Sequence, residues 1–234
     1  MKIKFFLTVA LTTFFLVSNI RVMAQTIPST TSQLNLQYDD GRLATEVNHA
    51  EIEGSPYLSD EWINGLVKFG DGRTYKDIPL KYNQANDVLY FQNDKKETLT
   101  FVKQVADFII TYSSDNEDHV KHFKSGFADI SGYTTQNFFE VLVEGTAQLL
   151  KKNHKHIVSE SGMALGTTTQ KYADSESYYL VIADKAYTLK RDKKAILAIL
   201  ANKQAELEQF IKTNKLNLKE DRDLAKLIAY YNSI

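Results

Sequence analysis

The sequence predicts an α+β protein, mainly β: an antiparallel meander, sandwich or partly closed barrel, followed by a C-terminal cluster of two to three short helices. Three observations lead there. Between Leu34 and Leu189 apolar and polar residues alternate in about ten short runs separated by Gly-, Asn- and Asp-containing turns, the pattern of half-buried antiparallel strands. From Asp192 the apolar period lengthens to that of a helix. Beyond Gly166 there is no glycine and beyond Pro79 no proline, so nothing breaks that helical register.

The chain opens on a leader. Met1 to Lys4 carry two lysines, Phe5 to Ile20 are mostly apolar, and Val22 and Ala24 are small residues at the positions a signal peptidase reads. Residues 1–24 are therefore expected to be a secretory signal peptide cleaved at Ala24/Gln25, because the apolar run is too short for a membrane span of about 18 or more residues. The polar stretch 25–33 reads as a flexible lead-in. Residues 34–189 form the expected β-rich domain and 190–234 a helical segment packed on it.

Within the β region, Gln33 to Tyr38 and Leu43 to Val47 flank Asp40-Gly41, a two-residue hairpin signal. Trp62 to Phe69 and Arg73 to Asn83 alternate about Gly70-Asp71-Gly72, and Pro79, lacking a ladder donor, predicts an edge or bulge. Further strands are predicted at Asp87 to Gln92, Glu97 to Val102, Val105 to Tyr112, His119 to Phe123, Phe138 to Val143, Thr146 to Ile157, Tyr178 to Ala183 and Ala186 to Leu189. Val158 to Ser177 is rich in Ser and Thr and poor in large apolar groups, which predicts a mobile loop. Three one-sided stripes then mark helices: Ile196, Leu197 and Leu200; Leu207, Phe210 and Ile211; Leu224, Leu227, Ile228 and Tyr231. Asn202 is expected to cap the middle helix, and Asn217 with Glu220 a capping-box start for the last.

Composition excludes several chemistries. The chain has no cysteine, hence no disulfide, thiol nucleophile, Cys-based zinc site or acylated-cysteine tether. The leader holds Lys2, Lys4 and Arg21 and no acid, so of 28 basic and 29 acidic residues 25 and 29 remain in the mature chain, a net of −4. From Lys190 onward ten basic residues face six acidic ones, a net of +4, while Gln25 to Leu189 carries −8. An acidic body with a basic end lacks the concentrated basic, aromatic face of a nucleic-acid binder. A transmembrane barrel is not expected either, since the chain ends in an amphipathic helix instead of a lipid-facing strand.

The constellations that invite a catalytic or metal reading each lack a part. His154 and His156 share a strand face but have no third ligand in the pattern, and Lys151, Lys152 and Lys155 repel a cation. His119 and His122 are spaced for a helix, on a predicted strand. Four strand residues place Glu140 and Glu144 about 13 Å apart, too far for a glycosidase pair. Ser161 lacks the two glycines of a nucleophile elbow, and the Gly162 and Gly166 region lacks the lysine of a phosphate loop. No residue is assigned as catalytic, cofactor-binding or metal-binding, and no cofactor is expected. The thirteen tyrosines fall mostly on alternating strand positions, where core packing accounts for them.

Gly54-Ser55-Pro56-Tyr57-Leu58-Ser59-Asp60-Glu61-Trp62, then Gly65 and Leu80-Lys81-Tyr82-Asn83, resemble the opening of uncharacterised exported proteins of Gram-negative bacteria. Phe138 to Gly145 and Asn214-Lys215-Leu216-Asn217 extend the similarity more loosely. The resemblance implies export and a strand-plus-helix architecture, and transfers no site residue. The expectation is an exported soluble protein, periplasmic or secreted: a noncatalytic binding or envelope-interaction module whose partner is an envelope or secreted protein. The alternatives are a carrier of a small apolar or aromatic ligand and a hydrolase whose site is assembled from residues distant in sequence.

Overall fold

A computed structural model describes residues 41–44, 52–114, 117–161 and 168–234. Strands β1 (Gly41–Leu43), β2 (Ile52–Glu53), β3 (Ile63–Phe69), β4 (Thr74–Asn83), β5 (Val88–Gln92) and β6 (Thr98–Phe101) are followed by β7 (Val105–Ser114), β8 (Glu117–Lys124), β9 (Phe139–Val143), β10 (Ala147–Ser161), β11 (Thr168–Ile182) and β12 (Lys185–Thr188). They form one open sheet in the order β1-β6-β5-β4-β3-β7-β8-β9-β10-β11-β12, with β2 parallel to the far part of β11. The other pairings are antiparallel. Helices α1 (Lys193–Ile199), α2 (Gln204–Asn214) and α3 (Asp221–Ser233) close the chain, with a 3-10 turn at Ala201–Lys203 between the first two.

The sheet curls. Along the strand order β4 and β10 are five steps apart, about 24 Å if the sheet were flat. Instead Lys155 N on β10 donates to Gln84 O, just past the end of β4, at 3.4 Å. The concavity is filled with rings: Phe108 stacks on Phe123 at 4.6 Å, and Tyr82 and Phe138 pack edge-on against Phe108. Val67, Phe69, Leu80 and Phe91 complete this cluster.

Helices pack on the near half of the β10–β11 hairpin. Leu149 and Leu180 lie in one core with Ile196, Leu200, Leu207, Leu224, Leu227 and Ile228, so the first and last predicted stripes are buried, while of the middle one Leu207 is buried and Phe210 and Ile211 are half-buried against it. Leu150, Tyr179 and Val181 belong to a separate cluster with Ile130 and Phe139. Neighbouring residues of one strand thus serve two cores, because successive side chains point to opposite faces.

Several expectations need correction. Residues 158–177 are not a loop throughout: β10 runs to Ser161 and β11 starts at Thr168, paired residue for residue from Ala147↔Ile182 to Ser161↔Thr168. The far half of this ribbon lacks a heavily buried face, so nothing selects apolar alternation there, and main-chain pairing with polar side chains sustains it. Lys171 pairs with Glu160, and Lys155 with Asp174 at 3.8 Å. Asn202 is not a cap: it lies in the 3-10 turn, where its Oδ1 accepts from the Tyr231 hydroxyl at 3.3 Å, and Lys203 stands at the start of α2. The capping box is displaced as well, since Glu220 is the N-cap of α3 and Asp223 accepts from Asn217 N at 2.9 Å.

Pro79 lies on β4, an interior strand, yet β5 pairs only with Leu80–Asn83, so the proline is locally at an edge beside a register shift. The signal peptide, the lead-in, most of the hairpin predicted around Asp40-Gly41 and the Gly162–Thr167 stretch lie outside the described residues. No helix among the described residues is long and apolar enough to cross a membrane.

Candidate functional site

The densest convergence of buried polar groups lies where the curled sheet meets itself. Asn83 Oδ1 accepts from Ala85 N and Asn86 N at 2.9 and 3.2 Å, folding the β4–β5 connection into a tight turn. That turn ends at Asp87, held at a φ of 60°, and directs its carboxylate toward β10. Lys152 Nζ meets Asp87 Oδ1 at 2.8 Å and donates to Phe138 O at 2.8 Å and Tyr82 Oη at 3.4 Å. Asp87 is fully used: Oδ1 also accepts the Tyr82 hydroxyl, and Oδ2 accepts from Asn137 Nδ2 at 2.7 Å and Phe138 N at 3.2 Å. The Lys152 side chain is only 2 % exposed, over the rings of Phe139 and Tyr133 at 5.5 and 5.7 Å.

Burial pushes the Lys152 ammonium below its ordinary value, and the Asp87 carboxylate opposes that shift. Burial, reinforced by Asp87, holds the Tyr82 phenol well above its usual range. Burial also pushes Tyr133 up to about 12, with help from Tyr179. A lysine with a lowered pKa is the type used as a nucleophile. Here its three N–H donors have three acceptors, and the ammonium is walled from solvent. The cluster is a clasp that ties β4, the β4–β5 turn and the residues before β9 to β10.

A second cluster uses the adjacent residue. Lys151 Nζ lies 2.6 Å from Glu176 Oε1 and 2.8 Å from Asp221 Oδ2, and the Tyr178 hydroxyl lies 2.6 Å from Asp221 Oδ1 and 2.9 Å from Glu176 Oε2. The Arg191 guanidinium sits 4.3 Å from the Tyr178 ring centre and 3.2 Å from Asp221. Desolvation disfavours the Lys151 charge, but the hydrogen bonds that the ammonium donates to Asp221, Glu176 and Tyr178 outweigh it and hold it above its ordinary value. Since Asp221 opens α3, this cluster joins the last helix to the sheet.

The residues weighed from the sequence fall elsewhere. His154 and His156 do share a face, with near-parallel rings 6.2 Å apart, and no group of three side chains among the described residues is arranged to hold a metal ion. His119 stacks on Tyr112 at 5.4 Å, while His122 Nε2 faces Asp107 Oδ2 at 2.8 Å. Glu140 is buried and accepts from Lys121 at 2.6 Å and Asn153 at 2.9 Å; Glu144 pairs instead with Lys124 at 2.7 Å. The two carboxylates therefore serve different ion pairs. Nothing in the sequence marks Lys152 or Asp87 as partners beyond a lysine pair following Leu149-Leu150 in a strand otherwise built for burial.

The fold and its clusters define a curled, open antiparallel sheet with a helical cover and an interior polar clasp. Compared with protein-family models, curated proteins and solved structures, the chain matches none.

Proposed function

We propose that the chain is an exported, noncatalytic interaction module that works by contact with an envelope or secreted protein. The observation that carries this reading is the self-sufficiency of the clasp: Asp87 and Lys152, the most deeply placed ion pair described, spend their hydrogen bonds on one another and their neighbours. A carrier would need space in the sheet's concavity, and there stacked and edge-on rings occupy it. Export rests on the leader and on the resemblance to exported proteins.

Fractionation of the native host followed by intact-mass measurement tests export. The expected species begins at Gln25 and lies outside the cytoplasm; a chain retaining residues 1–24 in the cytoplasm would overturn it. Cross-linking in the intact cell tests the contact. A defined envelope or secreted protein recovered in near-stoichiometric yield supports the reading, and turnover of a hydrolase substrate by the purified protein sinks it.

A further inference from the structure

The three lysines that argue from the sequence against a cation at His154 and His156 are neutralised or turned away by the fold. Lys152 lies 2.8 Å from the Asp87 carboxylate and is sealed from solvent. Lys151 and Lys155 occupy the odd positions of β10 and project from the opposite face, where Lys151 meets Glu176 and Asp221 and Lys155 meets Asp174. We propose that the two imidazoles form an open chelate for a divalent transition-metal ion, Cu2+ above all, with water completing its coordination. The site stands apart from the contact reading above and does not depend on it.

Positions i and i+2 of a strand share a face, and the His154 and His156 rings stand side by side at 6.2 Å with their planes 8° apart. Their cross-strand neighbours on β11 are Ser175 and Ala173, so no bulky side chain crowds the rings from that strand. His154 is half-buried, His156 is exposed, and among the described residues neither ring has a hydrogen-bond or ion-pair partner. His122, by contrast, is engaged by Asp107 at 2.8 Å. Two nitrogens bound to one metal at about 2.0–2.1 Å lie about 3 Å from each other, so the rings must turn inward. Rotation of the exposed His156 ring brings its nitrogen toward His154 and breaks no hydrogen bond. Imidazole suits Cu2+, Ni2+ and Zn2+ better than Mg2+ or Ca2+, and Cu2+ stands highest in intrinsic affinity. Structural zinc sites use four protein ligands; two leave the metal exchangeable and the fold independent of it. The net charge of −8 between Gln25 and Leu189 draws a cation to this part of the chain.

The probe is Cu2+ alone, titrated into the full mature chain without an affinity tag and followed by calorimetry and electron paramagnetic resonance. One equivalent is expected to saturate the site, with two nitrogen ligands in the spectrum. His154→Gln/His156→Gln should remove this saturable event. Losing even an outer partner of a metal ligand costs about 10–100-fold in affinity, so each single substitution should weaken binding at least about tenfold. His156→Gln/Ile157→His keeps the number of histidines but puts the second ring on the opposite face from His154, and it should bind no better than His156→Gln. His154, His156 and Ile157 are half-buried or exposed, so the melting temperature without metal should be unchanged in every variant. Equal Cu2+ affinity in the parent and the double-glutamine variant overturns the proposal. So does parent-like affinity in His156→Gln/Ile157→His, which would mean that the shared face is not what binds, or a spectrum with a single nitrogen ligand.

Discussion

Lys151 and Lys152 are adjacent on β10, and the fold gives them opposite fates. Lys151 points to the helix-covered side, among two carboxylates, a phenol and a guanidinium that water still reaches; Glu176 and Asp221 are 43 % and 36 % exposed. Lys152 points the other way into a site with a single carboxylate and nearly no water. Two neighbouring acids raise the first ammonium's proton affinity despite desolvation, and desolvation lowers the second's despite Asp87. The same side chain, one residue along a strand, is a rim ion pair on one face and a sealed clasp on the other. What decides it is which distant element arrives: α3 for Lys151, the β4–β5 turn for Lys152.

Deleting Leu216 to Ile234 should break the comparison most severely, because it removes Lys151's partner Asp221 together with Leu224, Leu227, Ile228 and Tyr231 from the helical core. Burying each of those four is worth about 1.5 to 3 kcal/mol as an upper estimate, against a typical total stability of about 5 to 15 kcal/mol. The truncated chain is expected to aggregate or lose cooperative unfolding. A cooperative melt at the parent temperature would show that α3 is dispensable to the fold.

Lys152→Ala comes next. It leaves Asp87 charged and buried without its cation, a change that costs about 3 to 5 kcal/mol. Denaturant unfolding measures it, and Lys152→Met combined with Asp87→Asn should recover part of the loss by removing both charges. If the double variant is no more stable than Lys152→Ala, the Asp87 charge is not the source of the damage.

Lys151→Met should cost only about 1 kcal/mol, since its exposed carboxylate partners are rehydrated when the ammonium is lost. A loss equal to that of Lys152→Ala in the same titration would erase the distinction between the two faces.

The smallest effect is on the acid limb. Hydrogen bonds from Lys151 and Tyr178 overcome desolvation and hold the Asp221 and Glu176 carboxyls below the usual range. Their folded values are depressed, so their contribution is present above the unfolded carboxylate range of about 4 and is lost as pH falls through the lower folded values. Melting temperature measured from pH 6 downward should therefore fall less steeply in Asp221→Asn than in the parent. Identical slopes would place the acid sensitivity elsewhere.

Much of the fold was legible because local pattern and final burial agree where a strand or helix has one wet and one dry side. The runs leading to β3, β4, β5 and β7 alternate and are strands; Leu224, Leu227, Ile228 and Tyr231 are spaced for one helix face, and that face is buried. The pattern failed where burial was symmetric. The far half of the β10–β11 ribbon has no strongly buried face, so its polar sequence is indistinguishable from a loop until the two strands are paired. Helix starts were misplaced by a few residues because Asn202 and Asn217 found tertiary or turn partners instead of the helix amides.

The sequence by itself determined the strand-then-helix order, the absence of cysteine chemistry, the acidic body and the cationic helical end. Those follow from composition and from periodicities that each segment carries alone. Only the tertiary structure decided that the sheet curls without closing, that Asp87 and Lys152 meet, and that Asp221 of α3 reaches Lys151. Each of these depends on which elements come together across many residues of chain, and a hydrogen-bonding side chain carries no mark of the partner that the accumulated twist and curl of the sheet will bring to it.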